Sequence, residues 1–437
     1  MVSFDLIVIG FGKAGKTLAA RMAERGKRVA LIERSPQMYG GTCINIGCIP
    51  TKTLLLAAEK GWSFEQAMAE KDAVTTRLNR KNHDGLVSSV TLYDGVASFV
   101  NNKTIVVRKD GAEEQLTAET IVINTGAVSN WVPIEGLRTT AGVHDSTGIQ
   151  QLPRQPERLG IIGAGPIGLE FASFYARLGT QVTVLDVGDR LLPNEEPVAA
   201  ELARQYLEEA GVRFRFGASI RRVYNEGDAV AIETADGSLV VDALLSATGR
   251  KPNIEDLNLG ATDIRLTERG AIQVDERCQT SVPGVYAVGD VTGAPQFTYL
   301  SLDDFRIVYS ALTGGEPYMR KDRKAVPACT FIDPPLARIG ITEAQAKEAG
   351  LPHAVKELRV ATMPRAHVAG DLRGVFKAVV NTETQQILGV TLMGEAAHEL
   401  INLVTMAMDN QLPYTYFQKQ IFSHPTMAEN FNDLFAV

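Results

Sequence analysis

A chain of 437 residues exceeds what one ordinary hydrophobic core organises and points to two or three domains. Its net charge of −7, with acids and bases interspersed, excludes a basic nucleic-acid-binding stripe, and no apolar stretch is long enough to span a membrane. Four cysteines exclude a disulfide scaffold, and the opening MVSFDLIVIGFG reads as a buried strand rather than a secretory leader, so a cytoplasmic protein is expected.

In chain order, FDLIVIGFGKAGKTLAARMAERGKRVALIERS predicts strand, glycine turn, helix and strand. Gly10, Gly12 and Gly15 form G-x-G-x-x-G after an apolar run, and Glu33 lies 23 positions past Gly10. Glycines there permit a tight turn and close approach of a pyrophosphate to the helix N-terminus, while the acid can take ribose hydroxyls. Next comes GGTCINIGCIPTK, with Cys43 and Cys48 separated by four residues at the expected start of a helix. In a cytosolic chain such a pair is more often redox-active or metal-binding than structural. A thiolate at a helix start is stabilised by the amides, which lowers its pKa. A zinc site needs four ligands, and no second cluster has the spacing.

The apolar strand IVINTGAV then runs into Thr125 and Gly126. A second glycine unit follows in RLGIIGAGPIGLEFASFYARLGTQVTVLDVGDR, with Gly163, Gly165, Gly168 and, again 23 positions past the first glycine, Asp186. Two dinucleotide folds in one chain suggest a hydride carrier and its acceptor, usually a flavin. A carboxylate at Asp186 favours NADH over NADPH, whose extra phosphate calls for arginines, and only Arg190 is nearby in sequence. LLSATGRKPN carries Gly249 and Arg250, and VPGVYAVGDVTG carries Gly289 and Asp290 at a strand end. From about Ala325 alternating strands followed by helices predict an α+β domain, ending in HPTMAEN with His424 and Glu429.

The ordered set of G-x-G-x-x-G with Glu33, GGTCINIGCIPTK, the second glycine unit with Glu170, ATGRKPN, YAVGD and HPTMAEN resembles the flavin-dependent pyridine nucleotide-disulfide oxidoreductases, and the likeness covers essentially the whole chain. It implies an α/β chain with two Rossmann-like domains, for FAD and NAD(P), followed by an α+β dimerisation domain. The expected segments are 1–150 and 271–322 for FAD, 151–270 for NAD(P) and 323–437 for dimerisation. The glycines, acids, Thr125 and Arg250 named above, together with Gly41 and Thr42, would hold the cofactors. The resemblance makes Cys43 and Cys48 a redox disulfide, with Cys48 toward the flavin and Cys43 toward substrate. It pairs Lys52 with Glu170 near the flavin, and sets His424, oriented by Glu429, opposite Cys43 from the other subunit of a homodimer.

Within the family, the segments around Phe297 to Tyr299 and Pro364 to Ala366 look most like mercuric reductases. Yet this chain ends NDLFAV without the cysteine pair those enzymes carry, and it keeps His424. Phe422 stands where dihydrolipoamide dehydrogenases have a further histidine. The expected activity is therefore NADH-driven reduction of a small oxidant or thiophilic metal ion, NADPH being possible as donor. Reduction of a small disulfide and lipoamide chemistry are the alternatives within the family, and a flavoprotein sensor is the alternative outside it.

Overall fold

The computed structural model describes residues 1–293 and 295–437. The chain divides into two compact units, one of residues 1–132, 145–154 and 248–322, the other of 133–144, 155–247 and 323–437. The first unit takes the chain back at Thr248, earlier than the expected 271, because Arg250–Pro252 pairs antiparallel with Ala127–Ser129.

The first unit is built on a sheet with strands β1 (Val2–Ile9), β2 (Val29–Glu33), β3 (Thr91–Asp94), β4 (Val96–Asn101), β5 (Thr104–Lys109) and β6 (Ala112–Ile123) in the order β3-β2-β1-β6-β5-β4. The strand Val285–Ala287 adds to β6 in parallel. β3, β2, β1 and β6 run parallel, and β4 and β5 return as an antiparallel hairpin. Side chains alternate across a strand, so the two faces of β1 feed two different cores. Ile7 and Ile9 pack with Ile32, Ile121 and Ile123 on one face. Leu6 and Val8 pack with Leu31, Val122 and helix α1 (Lys13–Glu24) on the other. This double burial explains why the strand reads as an unbroken apolar run. Helices α2 (Thr42–Asn45), α3 (Cys48–Glu59) and α4 (Phe64–Asp84) follow, the last begun by a capping box between Ser63 and Gln66.

In the second unit, five parallel strands take the order Arg213–Arg215, Gln181–Leu185, Arg158–Ile162, Ala243–Ser246, Val143–His144. A separate antiparallel meander runs from Ile220 to Val241. The C-terminal part is a five-stranded antiparallel sheet whose core joins Phe376 and Val390 to Ile401 and Val404 of helix Ala397–Asp409 and to Phe417, Phe431 and Phe435. Each expected layer is present: two sheets whose parallel strands lead into glycine turns, then an antiparallel sheet with helices.

Candidate active site

The cavity of the first unit, about 550 Å³, opens where β1 ends. Gly10 leaves the strand at φ +97°, a conformation suited to glycine, and a Cβ there would lie 2.5 Å from the Asn124 carbonyl oxygen. At Gly12, the residue before α1, a Cβ would come 2.3 Å from Asn124 Oδ1. Gly15 serves the packing instead: a Cβ would strike Val8 at 2.7 Å, and its N–H donates to Asn124 Oδ1 at 2.9 Å. The Ala14 N–H donates to Ser301 Oγ at 3.2 Å. Glu33 ends β2 and accepts from the N–H groups of Phe11 (3.0 Å) and Ser35 (3.3 Å). Burial pushes its carboxyl pKa up, against the pull of those amides.

Gly41, Thr42, Thr125, Gly126, Arg250 and Asp290 line the same cavity. Gly41 has φ +78°, and a Cβ would sit 2.9 Å from the Gly12 Cα, so the cysteine loop packs directly on the glycine turn. The Thr125 hydroxyl donates to the Asn253 carbonyl at 2.7 Å. Burial raises the Asp290 carboxyl pKa while Arg250 draws it back, and burial lowers that of Arg250, whose guanidinium also donates to the Ala127 carbonyl. Gly289 stands behind Asp290, its N–H donating to buried Asp304 at 2.6 Å. Gly249 has φ +94°, and its carbonyl accepts from Asn130 N–H at 2.9 Å.

The two sulfurs of Cys43 and Cys48 are in hydrogen-bonding contact. Cys43 belongs to the short helix α2 and lines the cavity. Cys48 opens α3, as expected, and its sulfur lies 3.9 Å from the Thr298 hydroxyl, which also bonds Cys43. The expected lowering of the thiol pKa does not extend to Cys43. Its bond to Cys48, then burial, then the charge of Cys48 push the pKa up, outweighing Thr298 and Lys16. Lys52 lies on α3, one turn beyond Cys48.

In the second unit, Gly163 (φ +112°) ends a strand and Gly165 precedes helix Pro166–Arg177. A Cβ at Gly168 would be 2.1 Å from the Gly163 carbonyl oxygen. Asp186 repeats the arrangement of Glu33, accepting from the N–H groups of Ala164 (2.6 Å) and Gly188 (2.7 Å). Arg190 is turned to the Pro193 carbonyl, while the exposed Arg215 accepts the Asp186 N–H through its own backbone carbonyl at 3.0 Å. Buried Glu170 accepts from Phe331 N–H at 2.9 Å.

His424 Nδ1 lies 2.8 Å from Glu429 Oε2, with the imidazole 69% exposed and the carboxylate 19%. Thr426 closes the turn by donating its N–H to Glu429 Oε1 and accepting the Glu429 N–H, both at 3.3 Å. With Nδ1 donating to the carboxylate, Nε2 is left as the basic nitrogen. Pro425 follows a cis bond and starts no helix, whereas Glu429 is carried by the turn Ala428–Asn430.

Sequence reasoning missed Asn124, Ser301, Lys16 and Asp145, the last of which also lines the cavity. Asn124 had a local signal, a polar residue between an apolar strand and Thr-Gly. Ser301 had none, because it reaches Ala14 across 287 positions.

Residues 4–304 match the family described as pyridine nucleotide-disulphide oxidoreductase, and residues 326–435 match the dimerisation domain of the same family. Escherichia coli RclA, described as a probable pyridine nucleotide-disulfide oxidoreductase, is 45% identical over 439 residues, with all of both chains covered. A mercuric reductase of Lysinibacillus sphaericus is 34% identical over 98% of this chain and 81% of its own. The solved Cu(II) complex of the HOCl-induced flavoprotein disulfide reductase RclA from E. coli superposes with a TM-score of 0.97, covering 100% of this chain and 99% of that one.

Proposed function

The chain belongs to the pyridine nucleotide-disulphide oxidoreductases, and from that premise we propose that it is a cytoplasmic, FAD-dependent, NADH-preferring reductase that delivers electrons through Cys43 and Cys48 to a small oxidant or a thiophilic metal ion. It is an oxidoreductase of a family that uses FAD and NAD(P)H. Its residues fit FAD on physical grounds: Gly10, Gly12 and Gly41 leave bare backbone where any Cβ would collide, and Glu33 ends a strand beside them. When bound, FAD supplies two-electron transfer between the nicotinamide and the cysteine pair.

The observation that carries the reading is the contacting thiol pair, of which Cys43 lines the cavity. Two thiols release two electrons and two protons as they close to a disulfide, so two cupric ions leave as cuprous, or one two-electron oxidant is reduced. Such acceptors need little recognition surface. The Cu(II) complex of the similar RclA and the likeness to mercuric reductase favour this class. His424, held by Glu429, takes or returns the thiol proton, and we assign it to the partner subunit's side of a shared site.

Steady-state NADH oxidation by the purified holoenzyme against Cu(II), Hg(II), hypochlorite and glutathione disulfide tests the proposal. Rapid turnover with the metal ions or the oxidant supports it. Rapid turnover with the organic disulfide alone would replace it with the second reading, which the intact His424–Glu429 pair favours.

A further inference from the structure

Lys16 directly follows the last glycine of the signature, yet it is Lys13, inside it, that lines the cavity. The half-buried Lys16 reaches α4, where Nζ hydrogen-bonds Asn82 Oδ1. Asn82 is itself fixed, its Nδ2 donating to the Leu78 carbonyl at 2.7 Å. The same amide packs under the cysteine loop, since a Cβ on Gly40 would meet Nδ2 at 3.1 Å. The ammonium is thus anchored beside the loop that carries Cys43, and the two groups act on each other electrostatically. Burial, then the charge of Lys13, lowers the Lys16 pKa to about 8. The groups acting on Lys16 are Lys13 of its own helix and Cys43 of α2, while α4 presents the neutral Asn82. His83 of that helix is occupied by Asp84 at 3.0 Å and by the Tyr39 ring.

We propose that Lys16 is a positioning residue for the substrate-facing thiol: held by Asn82, its ammonium stabilises the Cys43 thiolate and makes that sulfur reactive toward an electrophilic acceptor. The inference rests on the reading of Cys43 as the exchange cysteine. A cation opposite a thiolate lowers the thiol pKa, and the help lasts only while the cation keeps its proton. It is therefore full below about pH 8 and fades as pH rises through that value.

The test is iodoacetamide alkylation of the NADH-reduced, flavin-loaded enzyme across pH 6 to 10, mapped by mass spectrometry, for the native chain, Lys16→Met and Lys16→Arg. The expected result is alkylation of Cys43 slowed about tenfold in Lys16→Met at neutral pH, the difference closing above pH 8, and restoration by Lys16→Arg. The same Cys43 pH profile in all three proteins overturns the inference and leaves the assignment of Cys43 standing. Alkylation of Cys48 in place of Cys43 in the native chain overturns both. Should Lys16→Met lose its flavin, Lys16→Gln and Asn82→Ala are read by the same criteria.

Discussion

Glu33 and Asp186 perform one task with side chains that differ by a methylene. Each takes the amide after the first glycine of its signature and a second amide two residues onward, and so stands rigid at a strand end. If Asp186 reads the adenosine ribose, Asp186→Ser lowers kcat/KM for NADH by about tenfold and narrows its advantage over NADPH. Steady-state kinetics with both nucleotides checks this, and an unchanged ratio would move the discrimination to Arg190 or Arg215. Glu429→Gln keeps a hydrogen-bond partner for His424 but removes the carboxylate charge beside the imidazole. Turnover with a disulfide acceptor is expected to fall about a hundredfold, whereas reduction of Cu(II) changes far less. The legibility of these residues followed their chemistry. Glycine signatures and the acid 23 positions on are set within a single strand, turn and strand, so the sequence displays them whole. Asn124 and Lys16 gain their meaning from neighbours distant in the chain, and a lysine among glycines reads as a surface charge until α4 is seen to cover it.

At the scale of elements, the turn that carries His424 and Glu429 leads into the short helix Phe431–Leu434, whose anchor is Phe431. That ring is fully buried against Phe376, Phe417 and Phe435. Phe431→Ala is expected to cost about 3–5 kcal/mol, read as a shift of the denaturant midpoint, and to loosen the histidine turn. Lys377 tells a different story. It is buried and bonds Glu196 Oε2 at 2.8 Å and Glu343 Oε2 at 2.7 Å. Lys377→Met strands the Glu196 carboxylate in the interior and is expected to cost about 3–5 kcal/mol in the same measurement. The Lys377 bond holds the Glu343 carboxyl below its usual range, so its stabilisation is present at neutral pH and is lost as pH falls through that depressed value. The sheets behind these elements were foreseeable from apolar runs. The short helices of the histidine turn were not, because Pro425 suggests a helix start where the chain makes a turn.

For the whole molecule, the matched dimerisation domain exposes Leu403, Met406, Tyr416 and Ile421, the last 90% accessible. If the chain pairs through this domain, these apolar side chains are the ones a second copy would cover. Paired Met406→Glu and Ile421→Glu changes are expected to give a monomer by sedimentation, with flavin retained and disulfide turnover nearly abolished if the site is shared. The interleaving of the chain has a further consequence, for biosynthesis. The cavity takes Gly10 and Glu33 from the first stretch of the first unit, Asp145 from the second, and Arg250, Asp290 and Ser301 from the third. A nascent chain emerges from its N-terminus. The glycine turn is thus made early but waits for Ser301, the acceptor of its Ala14 amide, until every strand of the second unit's parallel sheet has been synthesised. A chain stalled near residue 247 therefore carries the glycine signature without Arg250, Asp290 and Ser301, which complete the cavity.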